Sequence, residues 1–199
     1  MPIKHYLKAI SRALFTLVAL PLFLIYRILA AAGAGDGAFA ALAQLVSLVP
    51  GRIGTYLRAA FFHLACNQTS QEISIGFLTL LSHADTTIET GVYIGPQGNI
   101  GMCRIGRNTL LGSGVHILSG KRQHNFSDHD RPIQEQGGEF TKIAIGEDSW
   151  IGNGAIVMAD VGKGCIVAAG SVVNHPVADY DVVAGNPAKV VSQRRATDA

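Results

Sequence analysis

Residues 145–157 read IGEDSWIGNGAIV, and this stretch decides the fold. Ile145, Ile151 and Val157 stand six apart, and Gly146 and Gly152 follow the first two. A period of six matches neither the 3.6 of an α-helix nor the 2 of a simple strand. It matches a chain that turns a corner every six residues. Each flat side is a short strand with its aliphatic residue inward, and Gly or Asn turns the corner. The period continues outward from this stretch. Ile88, Ile94 and Ile100 form one series, Ile105, Leu111 and Ile117 another, and Val161, Val167 and Val173 the last. Gly95, Gly101, Gly106, Gly112 and Gly162 mark further corners. Register breaks between 100 and 105 and again between 157 and 161. Three sides close one triangular coil, and stacked coils bury a continuous aliphatic column. Segments 73–117 and 143–177 supply about four coils.

The chain has 199 residues, long enough for one domain and an appendage. Sixteen basic and 14 acidic residues leave a net charge of +2, which gives no reason to expect a nucleic-acid partner. A charged fraction of 15% points to burial or lipid contact, and 23 glycines point to many tight turns. Cys66, Cys103 and Cys165 are widely spaced and form no CxxC pair, so reduced thiols are expected and a thiolate zinc site is not.

The first third has a different character. Ala13 to Tyr26 carry no charge, Lys4, Lys8 and Arg12 precede them, and Arg27 ends the run. A crossing helix wants ~20 apolar residues, so 13–32 is marginal, and Pro21 should kink it. A signal peptide, a single crossing and a hairpin or in-plane anchor all fit this pattern. A second apolar run, Ala38 to Val49 and then Ile53 to Cys66 with Arg58 inside it, reads as an amphipathic helix near lipid headgroups. A helical subdomain packing on the protein itself is the plainer alternative. A basic N-terminus should stay cytoplasmic.

IGEDSWIGNGAIV, VAAGSVV (167–173) and VAGNPAKVV (183–191) resemble the hexapeptide-repeat acyltransferases. The similarity is strongest to the galactoside, maltose and xenobiotic acetyltransferase branch, and within it to enzymes of cell-surface polysaccharide pathways. It covers about residues 73–193. The fold expected is mainly β: a left-handed parallel β-helix of hexapeptide repeats, 71–177, with an inserted loop at 118–142. An α-helical, membrane-associating region at 1–70 precedes it and a C-terminal tail at 178–199 follows. The resemblance implies acetyl-CoA as acyl donor, no metal, and a homotrimer with sites between neighbouring subunits. Membrane lipid and a small-molecule or lipid-linked sugar acceptor are the other partners expected. Because the donor is cytoplasmic, the domain belongs on the cytoplasmic face of the inner membrane, which favours an anchor that returns or lies flat.

The interruption LSGKRQHNFSDHDRPIQEQGGEFTK is polar and without period. Solenoid insertions of this kind often carry the binding face. In the resembling enzymes the general base is a histidine soon after the equivalent of Ile117. His124 matches by position, with His129 as runner-up. An imidazole titrating near pH 6.5 can take the proton of a hydroxyl or amine as it attacks a thioester. Negative charge then develops on the thioester oxygen and calls for an N–H donor, by resemblance that of Asn153. Asp128 or Asp130 would orient the imidazole. By resemblance Trp150, Ala169, Asn174, Asn186 and Pro187 line the coenzyme channel, and Lys189, Arg194 and Arg195 reach its phosphates. His175 stands where the family often has Lys, and VMADVGKG is two residues shorter than usual. Two other functions share this coil. A γ-class carbonic anhydrase-like metalloenzyme would use His124 and His129 with His83 or His116 as third ligand, and a non-catalytic β-helix scaffold would use none of them.

Overall fold

The computed structural model describes residues 2–194. Three helices come first: α1 (Pro2–Leu29), α2 (Gly35–Ser47) and α3 (Gly51–Ala65). α1 runs through Pro21 as one helix. The chain turns at Ala30–Ala34, where Gly33 takes φ 92°. That left-handed value is open to glycine without a Cβ penalty.

From Ser74 onward, two- and three-residue strands stack in parallel into three faces of a β-helix. Face A carries inward Ile75, Ile94, Leu111, Ile151, Val167 and Val183 in register. Face B carries Leu81, Ile100, Ile117, Val157 and Val173. Face C carries Ile88, Ile105 and Ile145, continued by Val161 and Val177 through single bridges. Face B therefore has five rungs rather than four, because the coil through Ile75 and Leu81 precedes the first clean series. Both register breaks fall at the corner from face B to face C, which is shortened there.

The corners are held by buried hydroxyls. Thr79, Thr109 and Ser149 donate to the carbonyls of Gly95, Gly146 and Gly162 in the next coil, at 2.7, 2.8 and 2.9 Å. No buried side-chain N or O atom among the described residues lacks a partner. A stack that hides so much backbone is stable only when those polar groups are paired.

The two ends of the stack are finished differently. At the first end, Phe39, Val46, Phe61 and Phe62 join the same core as Ile75 and Leu81. One face of the second apolar run is therefore protein core, while Leu45, Leu48 and Ile53 stay exposed on the other. Arg58 is fully buried at this junction. Its Nε donates to Ile75 O at 2.8 Å, and its Nη1 donates to Val49 O at 2.7 Å and Val46 O at 3.3 Å. At the far end, residues 178–193 are not a tail. Strand Asp181–Gly185 adds the last parallel rung of face A, and Ala188–Gln193 folds back antiparallel over it.

Candidate active site

The residues singled out by sequence fall on two edges of the β-helix. The first is the corner from face A to face B. Here the turn Gly152–Asn153–Gly154 stacks on Gly112–Ser113 below and on Ala168–Ala169 above. Asn153 Oδ1 accepts the N–H of Ser113 at 3.0 Å, which fixes its side chain across the rung. The approach is so close that a Cβ at Gly112 would lie 2.1 Å from Asn153 Oδ1. A Cβ at Gly152 would meet Ala169 N at 2.5 Å. The backbone N–H groups of Asn153 and Ala169 are not hydrogen-bonded within the described residues. These two N–H groups thus lie one rung apart on an exposed edge. Asn186 and Pro187 sit in the turn between the last two strands, above the same corner, joined by a cis peptide bond. Exposed Lys189 pairs in that hairpin opposite Ala184.

The second edge is the corner from face B to face C, where the loop 118–142 leaves the coil. Its two arms are bound to each other: Thr141 N donates to Ser119 O, Glu139 N to Arg122 O and Asn125 N to Gly137 O. An Arg122–Glu139 ion pair at 3.1 Å reinforces them. The loop's contacts with the rest of the chain gather at the same edge. Ser119 Oγ accepts Met102 N–H, Lys121 Nζ reaches Asn174 O at 3.5 Å, Phe140 packs on His83, and Lys142 binds Asp85 at 2.6 Å. The Lys142 ammonium holds the Asp85 carboxyl below the usual carboxylate range.

His124 lies on the outgoing arm and His129 at the tip, and both are exposed. Gln136 ties the tip together, accepting Asp128 N–H and donating to the carbonyls of Asp128 and Arg131. The Asp128 carboxylate is turned to Asp130 N–H rather than to either imidazole. His124 has a second determinant that sequence reading missed. Gly138, on the return arm, lies so close that a Cβ there would be 1.9 Å from Gln123 O and 2.8 Å from His124 N. The adjacent Gly137–Gly138 pair was the available signal.

Within one chain the two edges are not brought together. One full side of the coil, carrying the strand Ile156–Val157, separates Asn153 from Met158 at the opposite edge of face B, at most ~16 Å at 3.3 Å per residue. Asn174 stands with the loop at the B–C edge, its Oδ1 2.6 Å from His175 Nδ1. Arg194 is drawn to the third corner, where it binds Asp148 Oδ2 at 3.0 Å. Arg195 lies outside the described residues.

Face A also carries an unexpected row. Tyr93, Leu110 and Trp150 are in register and point outward, each about half exposed. Trp150 is thus not packed between coils. Outward positions on a solvated sheet are normally polar, as Thr87 and Arg104 are on face C.

Two chemistries find little in the chain. Burial pushes the Cys103 thiol up to about 12 and raises those of Cys66 and Cys165, so none offers a thiolate at neutral pH. Among the described residues no three His, Cys, Asp or Glu side chains gather into a ligand set. His83 binds Ser82 Oγ at 2.9 Å, and His116 points outward from face B.

No family model matches the chain. Among curated proteins it is similar to a putative lipopolysaccharide biosynthesis O-acetyl transferase of Escherichia coli. The two are 32% identical over 96 residues, 45% of this chain and 49% of that protein. It is 40% identical over 128 residues to a chloramphenicol acetyltransferase of Agrobacterium fabrum, which is 56% of this chain and 61% of that one. The matches thus span about half the length of these relatives. Among solved structures, a hexapeptide-repeat-containing acetyltransferase from Vibrio cholerae O1 biovar eltor, complexed with acetyl coenzyme A, superposes with a TM-score of 0.64. That match covers 80% of this chain and 87% of the other at 18% identity, a likeness of fold.

Proposed function

We propose that this chain, a hexapeptide-repeat protein resembling the maltose and xenobiotic acetyltransferases, moves an acetyl group from acetyl-CoA to a hydroxyl or amine. The observation that carries the reading is the pair of unengaged N–H groups, Asn153 and Ala169, on the A–B edge of a β-helix whose relatives bear acetyltransferase names. Such donors suit a thioester oxygen and the amide-rich arm of coenzyme A.

In the step proposed, the His124 imidazole takes the acceptor proton as the acceptor oxygen or nitrogen bonds to the thioester carbonyl carbon. The oxygen of the tetrahedral intermediate meets the N–H of Asn153. The intermediate collapses, the carbon–sulfur bond breaks, and the departing thiolate takes the proton from the imidazolium. No covalent enzyme intermediate is required.

Because His124 and Asn153 occupy different edges, the site is completed by a neighbouring subunit, the His124 loop of one chain facing the Asn153 edge of the next. A homotrimer of left-handed coils does this. The outward apolar row Tyr93, Leu110 and Trp150 gives that assembly a surface to bury. The acceptor class favoured is a sugar, free or lipid-linked, since one relative is named for lipopolysaccharide biosynthesis. The cytoplasmic face of the inner membrane is the location that joins this acceptor to its donor. The test is acetyl transfer from acetyl-CoA to a panel of lipid-linked sugars. His124→Ala is expected to lower kcat by roughly 10²–10⁴ with KM for acetyl-CoA little changed. Full activity in His124→Ala with loss in His129→Ala would move the base to the loop tip.

A further inference from the structure

We propose that α1 is an in-plane anchor, its outward face lying in one leaflet of an anionic membrane along its whole length without crossing it. This rests on the membrane association proposed above and is independent of acyl transfer. Ile10, Leu14, Leu17, Val18, Leu24 and Ile28 are all about half exposed or more. Their spacing of three, four and seven puts them on one helical face. From Ile10 to Ile28 this stripe runs ~27 Å at 1.5 Å per residue. The three charged side chains of α1 beyond Lys4, namely Lys8, Arg12 and Arg27, occupy other faces, and α1 contains no Asp or Glu. A long apolar stripe with exposed Arg27 beside it, on a helix without acidic side chains, matches an anionic lipid surface.

Length alone would allow α1 to cross a bilayer. Its inner face decides against that. Arg12 forms an ion pair with Glu72, and Gln71 Nε2 donates to Arg12 O at 3.0 Å and Thr16 Oγ1 at 2.7 Å. Further along, Phe15 stacks on Tyr56 at 5.3 Å, Ala19 is fully buried, and Tyr26 meets Phe39 edge-on at 5.8 Å. From Arg12 to Tyr26 the helix is thus docked on the first coil, α3 and α2. A crossing would either strip these contacts or draw Gln71 and Glu72 into hydrocarbon, where unpaired polar groups are costly. Lying flat keeps every contact and still covers the stripe.

The test is depth. In a Trp150→Phe background of the full chain, Ile10→Trp, Leu17→Trp and Leu24→Trp each place a single indole on the stripe. Each variant is mixed with phosphatidylcholine–phosphatidylglycerol vesicles carrying lipids brominated at shallow or deep acyl positions. Equal quenching of all three, strongest by the shallow lipids, is the expected result. Deep quenching confined to Leu17→Trp, with shallow quenching at the two flanks, would mean a crossing helix and overturn the in-plane anchor while leaving membrane association intact. Failure of all three to sediment with vesicles, with larger particles in light scattering, would assign the stripe to a second copy and remove both readings. A Leu17→Glu, Leu24→Glu double variant is expected to lower vesicle partitioning about tenfold or more with an unchanged circular dichroism spectrum. Undiminished partitioning would overturn the assignment of the stripe.

Discussion

Arg58 shows how one side chain joins two kinds of architecture. Its guanidinium spreads over carbonyls from the end of α2, the turn that follows and the first strand of face A. These carbonyls would otherwise be buried without donors, and burial lowers the readiness of the guanidinium itself to stay charged. Replacing Arg58 with Leu keeps volume but removes every donor, so a loss of about 3 kcal/mol of unfolding free energy is expected, read from urea titration. Arg58→Lys should recover only part of it, because an ammonium cannot span the same fork. In the sequence Arg58 looked like a charge on an amphipathic helix. An isolated charge carries no period, and nothing near it announces four carbonyl partners.

At the scale of elements, the coils were legible and their ends were not. Ile145, Ile151 and Val157 report their own geometry, because each inward side must repeat to stack. Capping residues stack on nothing above or below, so Phe39, Phe61 and Phe62 showed only as apolar runs that lipid would equally explain. The strand Asp181–Gly185 was missed for a similar reason, since Tyr180, Asn186 and Pro187 around it break the pattern. The His124 loop was recognised from its lack of period, and His124 from resemblance. Which edge it leaves, and that it stands away from Asn153, required the register. Its two arms predict a sensitivity of their own. Gly138→Ala must push the His124 arm aside, so turnover should fall about tenfold while the thermal midpoint barely moves, the loop being exposed and outside the core. Steady-state rates beside a melting curve check this directly.

The stack is covered by helices at its first end and finishes at the other in the strand Ala188–Gln193. The outward apolar row of face A is the surface through which association is expected. Light scattering in mild detergent is expected to find three chains per particle. Leu110→Glu, a charge set between Tyr93 and Trp150, is expected to yield single chains with the same β-content and little acetyl transfer. Three chains per particle in that variant would take face A out of the interface.

The coil count has a further consequence. Along the axis, three rung steps separate the first strand of face A, beside which Gln71 and Glu72 hold α1 at the C–A corner, from the Ile151 rung that leads into the Asn153 corner. At ~4.8 Å per step that is ~14 Å. The stack is therefore a spacer of fixed height. With α1 lying in a leaflet as proposed, an acceptor tethered there would have to span at least that rise to meet the Asn153 edge, and the number of rungs would set a lower bound on its polar length.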